Sequence, residues 1–230
     1  MVRRLVITVD GPAGSGKSTV GRMLAKRISY MYLDTGLLYR AVAWRAMQLG
    51  VSIADDEALG RMCDGITVPL ETDGAMRVLI EGKDISGDLR AEEIGMLASS
   101  VSAIPAVRKA LLPLQRSAGR QGGIVAEGRD MGTVVFPDAE VKFFLDADVD
   151  ERARRRYLQL VEGGKHADPG EVRRGLEVRD HQDTSRKIAP LKPAVDSVVI
   201  DTTGIGIEGV VERMATIVRE HTPGTARRVS

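Results

Sequence analysis

One short stretch near the amino terminus restricts the fold more than any other. Gly11 to Ser18 reads Gly-Pro-Ala-Gly-Ser-Gly-Lys-Ser, the spacing G-x-x-x-x-G-K-[ST]. The β-branched apolar run Leu-Val-Ile-Thr-Val at 5–9 precedes it, and an amphipathic pattern begins at Lys17. Strand, glycine-rich turn and helix are the context in which this spacing makes a phosphate-binding loop. Glycines at 11, 14 and 16 let backbone N–H groups turn inward around phosphate oxygens, and the helix adds its positive end. Pro12, Ala13, Ser15 and Thr19 complete the expected nucleotide contacts. Lys17 is the candidate cation for the transferring γ-phosphoryl group, and the Ser18 hydroxyl the candidate Mg²⁺ ligand. The segment 11–19 is expected to bind a nucleoside triphosphate.

Similar short apolar runs recur at 124–126, 141–145 and 197–200, between helical patterns at 17–29, 35–49, 106–118, 150–162, 170–182 and 207–220. That alternation predicts an α/β fold with a mostly parallel sheet, its ligands at the carboxyl ends of the strands. Residues 66–71 and 76–81 break the rhythm. Joined by Thr72-Asp73-Gly74-Ala75, they predict an antiparallel hairpin, and 52–92 reads as an inserted subdomain. Gly163 to Gly170 forms a flexible tip between two basic helical segments, and 221–230 reads as a frayed tail.

Composition narrows the partners. Against 33 basic residues stand 32 acidic ones, a net charge of +1, so no global field favours nucleic acid or an anionic membrane. The single cysteine, Cys63, and three scattered histidines exclude an internal disulfide and argue against a Cys/His zinc site. The first apolar run is too short for a signal peptide, and none reaches the ~18 residues of a membrane span. A cytoplasmic enzyme or binding protein is expected.

Polar groups concentrate where strands should end. Leu33-Asp-Thr-Gly-Leu-Leu-Tyr-Arg40 leads from a second strand into a helix, with Asp34 and Thr35 as N-cap types and Tyr39 and Arg40 one turn inside. Glu127-Gly-Arg-Asp130 leaves the strand at 124–126. An arginine there can make the two-pronged phosphate pair that lysine cannot. An Asn-Lys-x-Asp guanine-reading motif does not occur, which weighs against a regulatory GTPase. The strand 141–145 runs into Asp146, so a motor-like ATPase stays open, as does a kinase for adenylate, shikimate or another acceptor. Size, insert and tip favour a small-molecule kinase.

GPAGSGKST, LDTGLLYRA, EGRDMGTVVFPDA, RARRR, RDHQDTSR and APLKPAVDSVVIDTT occur in that order. Across residues 5 to 220 the chain resembles the bacterial cytidylate kinases. The resemblance implies a P-loop nucleoside monophosphate kinase fold: a parallel five-stranded sheet flanked by helices, a small β-containing insert and a helical lid. It divides the chain into a core of 1–51, 93–150 and 186–220, a monophosphate-binding insert of 52–92, and a lid of 151–185. The implied reaction passes a phosphoryl group from ATP, with Mg²⁺, to CMP or dCMP, in a monomer.

Carried over by position, the resemblance assigns Arg40, Arg129 and Arg186 to the acceptor phosphate, with Arg129 and Arg186 catalytic beside Lys17. Ser99, Arg108 and Asp130 match cytosine-reading positions, and Arg179 and Asp183 match sugar contacts. Thr35 and Tyr39 join the substrate side. Cytosine presents an amino donor beside two acceptors, so a carboxylate with an arginine can read it, whereas uracil would meet Asp130 with a carbonyl. Leu37-Leu38 departs from the family's usual Ala followed by Met or Ile. Arg152 and Arg156 share a helix face in the lid, and one or both are expected to reach ATP; Arg154 and Arg155 read as solvated. Arg179, Asp183 and Arg186 would share one helix face if the helix continues through Thr184-Ser185, leaving Asp180 and His181 to solvent.

Overall fold

The structure, a computed structural model, describes residues 4–69 and 76–222. Strands β1 (Val6–Asp10), β2 (Met31–Asp34), β6 (Ile124–Gly128), β7 (Val141–Asp146) and β8 (Val198–Asp201) form one parallel sheet in the order β2-β6-β1-β7-β8. Three short strands, β3 (Ile66–Thr67), β4 (Leu79–Ile80) and β5 (Lys83–Asp84), form a separate antiparallel sheet. The helices are α1 (Lys17–Arg27), α2 (Thr35–Leu49), α3 (Asp56–Arg61), α4 (Glu92–Val101), α5 (Pro105–Ala118), α6 (Val149–Glu162), α7 (Pro169–Ser185) and α8 (Ile207–His221).

Every residue of β1 and β6 is buried, as a continuous apolar run in a sheet covered on both faces requires. One face packs against α1 and α8 through Leu24, Val210 and Met214; the other packs through Leu33, Ala126 and Met131. Between β1 and its neighbours β6 and β7 the strand order reverses direction in sequence, which opens a crevice at their carboxyl ends. The phosphate loop enters it. Gly11 there has φ +147°, and a Cβ on it would lie 2.0 Å from the Leu145 carbonyl oxygen, so only glycine fits.

The expected α/β fold is present, with differences of detail. The expected hairpin pairs antiparallel over only two residues per strand, and a third strand extends it. Its turn, 72–75, and most of the tail, 223–230, lie outside the described residues. The insert's Ile66, Val78, Ile80, Ile85 and Leu89 share one core with Leu38 and Val42 of α2 and Val107 of α5. Helices α3 and α4 were not expected from the sequence. Residues Met131–Val135 form a short π-helical turn after β6. Helix α7 does continue through Thr184 and Ser185, but Arg186 follows in an extended conformation (φ −61°, ψ 140°) and is not the i+7 member of its face.

Candidate nucleotide site

Gly16 caps α1 in the left-handed region (φ +91°), so the first turn of that helix faces the loop without a side-chain cap. Lys17 is buried, and its Nζ donates to the Pro12 carbonyl and lies 3.4 Å from Ser15 Oγ. Burial, and then the neighbouring Arg129, bring the Lys17 amine down to about 7. Ser18 Oγ donates to Glu127 Oε1 at 2.7 Å. Glu127 is buried, and its Oε2 has no hydrogen-bond partner; burial first, and then Asp34, push it up to about 7. Asp34 is also raised by burial, against the pull of Arg40.

Beside the loop, one pocket collects every residue expected on the acceptor side: Thr35, Tyr39 and Arg40 from α2, Ser99 from α4, Arg108 from α5, Arg129 and Asp130 after β6, and Arg179, Asp183 and Arg186 from α7 and its end. Its two ends differ. At one end, burial lowers the proton affinity of Arg40 and of Arg179, and the nearby Arg129 and Arg156 guanidinium groups lower both further. Arg179 comes down to about 10, with its Nε buried and without a hydrogen-bond partner. Arg129 Nε donates to Asp183 Oδ2 at 2.8 Å. Burial works to raise Asp183, but Arg129, Arg179 and Arg186 hold it below the usual carboxylate range. Arg40 Nη1 donates to the Leu89 carbonyl at 3.0 Å.

At the other end stands Asp130, buried, with Arg108 Nη2 on its Oδ2 and Arg186 Nη2 3.8 Å from its Oδ1. Burial raises the Asp130 carboxyl, and Arg108 and Arg186 oppose the rise. Arg108 also lies over the Tyr39 ring, 5.8 Å from its centroid, and Arg186 Nη1 donates to Ser102 Oγ at 3.3 Å. Arg186, expected with Arg40 and Arg129, therefore sits with Asp130, and Arg179, expected at a sugar, sits among the cations. Thr35 Oγ1 donates to the Glu127 carbonyl at 2.8 Å, and Ser99 Oγ lies 3.5 Å from Gln182 Oε1.

The arginines of α6 divide differently from expectation. Arg154 is exposed and pairs with Glu151. Arg155 is half-buried and engaged: it donates to Thr202 Oγ1 at 3.0 Å and to the Thr202 carbonyl at 2.7 Å, with its guanidinium 3.9 Å from the Cβ position of Gly16. Arg152 is buried, and Asp180, expected in solvent, accepts from its Nη1 at 2.6 Å. Arg156 donates to Gln159 Oε1 at 2.8 Å and is near enough to Arg40 and Arg179 to repel both. Asp146, the residue that kept a motor reading open, is exposed and its Oδ1 accepts the Ala147 N–H at 2.9 Å.

Against known proteins, the cytidylate kinase family model matches residues 7–220. The chain belongs to the cytidylate kinase family. A cytidylate kinase of Geobacter sp. (strain M21) is 49% identical over 217 residues, 94% of this chain and 93% of that protein. One of Pseudomonas syringae pv. tomato is 47% identical over 216 residues, 93% of this chain and 94% of its own length. Among solved structures, an uncharacterized protein from Eubacterium ventriosum is similar with a TM-score of 0.52 and 11% identity, covering 94% of this chain and 98% of that one, a likeness of fold alone.

Several residues of this cytidylate kinase family member were missed in the sequence. Glu127 was read as part of a strand-end motif, with no role of its own. Asp10 closes β1 and accepts the Met131 and Gly132 backbone N–H groups, each at 2.8 Å, fixing the turn that carries Arg129 and Asp130. Thr202 joins β8 to the phosphate loop, its Oγ1 lying 3.0 Å from the Asp146 carbonyl and 3.3 Å from that of Ser15. Each of the three lies at or next to the carboxyl end of a parallel strand, which was the available signal. Among the described residues no cluster of three or more His, Cys, Asp or Glu could hold a metal ion, and no helix is long and apolar enough to cross a membrane.

Proposed function

We propose that the chain transfers the γ-phosphoryl group of ATP to CMP, and also to dCMP, giving ADP and CDP or dCDP. The observation that carries this reading is the polarity of the acceptor pocket. Mutually repelling cations crowd the end nearest Lys17, and a buried carboxylate between two arginines occupies the other. An anion relieves the first end. A base with an amino donor beside ring acceptors suits the second.

Phosphoryl transfer needs little covalent help: the donor and acceptor phosphates must be in line, dry and surrounded by positive charge. In this reading the 11–19 loop holds the ATP phosphates and Lys17 follows the γ-phosphoryl. Arg40 and Arg129 bind the acceptor phosphate. Arg179 contributes to the same end, Asp183 orients Arg129, and Arg186 bridges phosphate and base. Arg108 and Asp130 read cytosine, with Ser99 beside them. Arg156 is the α6 arginine proposed to approach ATP.

The residues fit a divalent cation at Ser18. The orphaned Oε2 of the buried Glu127, with Asp34 nearby, offers acceptors to a hydrated ion. Mg²⁺ held there would supply positive charge to the ATP phosphates. We further read 1–51, 93–150 and 186–220 as core, 52–92 as monophosphate-binding insert and 151–185 as lid, in a cytoplasmic monomer. Separation of products after incubation with ATP, Mg²⁺ and CMP tests the reading: CDP and ADP in equal amounts support it, and ADP with inorganic phosphate and no CDP overturns it.

A further inference from the structure

We infer that Arg152 is a positioning residue, a strut that fixes α7, and with it the acceptor pocket, to the phosphate loop. This goes beyond the kinase reading and rests on it only for its kinetic arm. Arg152 joins three elements at one buried guanidinium. Its Nε donates to the Ala147 carbonyl at 2.9 Å, which turns the side chain back along the start of α6. Its Nη1 lies 3.2 Å from the Ala13 carbonyl of the phosphate loop and 2.6 Å from Asp180 Oδ2 of α7.

The backbone supports the same junction. A Cβ on Gly14 would lie 3.1 Å from Arg152 Cβ and 3.2 Å from its carbonyl oxygen, so α6 rests directly on the loop. Ala13, Ala153 and Leu176 form a small buried apolar cluster beside the ion pair, one residue from each of the loop, α6 and α7. Asp180 follows Arg179 directly and precedes Asp183 by three residues, so anchoring its carboxylate sets the rotation of α7 about its axis. That rotation decides whether Arg179 and Asp183 face Arg129. Planar Arg152 can serve two acceptors in fixed directions at once; lysine has no such fork. With its guanidinium engaged in this way, Arg152 places α7 against the loop and does not itself touch the phosphates.

The experiment uses the full chain with R152M, R152K, D180A and the R152M/D180A double variant. KM for CMP, KM for ATP and kcat are measured, with binding of a non-hydrolysable ATP analogue in the absence of acceptor. R152M and D180A are each expected to raise KM for CMP by about tenfold, R152K nearly as much, and the double variant no more than the worse single one. Binding of the ATP analogue should change less than about threefold. A direct ATP ligand behaves in the opposite way: R152M weakens analogue binding by more than about tenfold while D180A alters nothing, and that result overturns the inference. If R152M fails to fold, D180A decides alone, since alanine suits a helix and leaves both carbonyl contacts of Arg152 in place. Amide hydrogen exchange supplies an arm independent of the acceptor: exchange across 176–183 should rise in D180A, and unchanged exchange there contradicts the strut. CMP phosphorylation by the unmodified chain tests the kinase reading separately.

Discussion

Arg108 and Arg186 flank opposite oxygens of the buried Asp130 carboxylate, one paired with Oδ2 and the other 3.8 Å from Oδ1. A single carboxylate held from both sides cannot turn away from a ligand, so it is fixed as an acceptor. A site built to accept a hydrogen bond rejects an analogue that presents another acceptor, because both groups are left unpaired. D130N replaces one acceptor with a donor. It is expected to shift the kcat/KM ratio of CMP to UMP toward UMP by about tenfold or more. Rates with both acceptors check this, and an unchanged ratio removes Asp130 as the base reader.

Arg129 is paired with Asp183 at 2.8 Å, and its charge works against that of the buried Lys17. A cation placed where negative charge spreads in the transition state lowers the barrier more than it tightens the ground state. R129A should lower kcat by about 100-fold or more while KM for ATP stays within about threefold. Steady-state kinetics with ATP varied at saturating CMP checks this. Unchanged turnover would take Arg129 out of the reaction.

Two glycines should respond to alanine in opposite directions. At Gly11 the added methyl meets a backbone carbonyl, so G11A must distort the loop, losing stability by more than about 2 kcal/mol and ATP binding with it. Gly175, on the exposed side of α7, has open space around its Cβ position and an ordinary backbone conformation. There G175A should add about 1 kcal/mol from helix propensity. Urea unfolding of both variants measures the pair.

Much of the site was legible because its residues act through local spacing. The phosphate loop identifies itself from Gly11 to Ser18, and Arg40, Arg129 and Asp130 follow strand ends, where a parallel sheet gathers its chemistry. Arg186 lines the same pocket, but it follows the end of α7 and lies beside Asp130, which spacing along one helix face could not show. Helix α3 carried its own signal: Asp55 Oδ1 accepts the Ala58 N–H at 2.9 Å, and Asp56 and Glu57 follow in the first turn. The β reading of the surrounding segment hid it. Helix α4 lacks a side-chain cap, so nothing marks its start. The links Ser18–Glu127 and Arg152–Asp180 span 109 and 28 residues and exist only once the elements have packed.

The pH dependence of stability contains a test of the turn that carries Arg129. Burial raises Asp10 from 3.8 to about 6, against the two backbone N–H groups it accepts. A carboxyl raised in the folded state binds more protons there than in the unfolded chain between these values. Its contribution is therefore present below pH 3.8 and is lost as pH rises to 6, by ~3 kcal/mol in all. The stability advantage of the unmodified chain over D10N should shrink by that order between pH 4 and 6.5 and stay level above. Urea midpoints across this range check it, and a difference that grows with pH would contradict the assignment.

This chain passes a phosphoryl group from ATP to a cytidine monophosphate. Initial rates of ADP formation from ATP and Mg²⁺, with CMP, dCMP, UMP, AMP or no acceptor, test it most directly. The structure predicts rapid ADP formation with CMP and dCMP, much slower formation with UMP and AMP, and almost none without an acceptor. Equal ADP formation with and without CMP, or a preference for AMP or UMP, would contradict it.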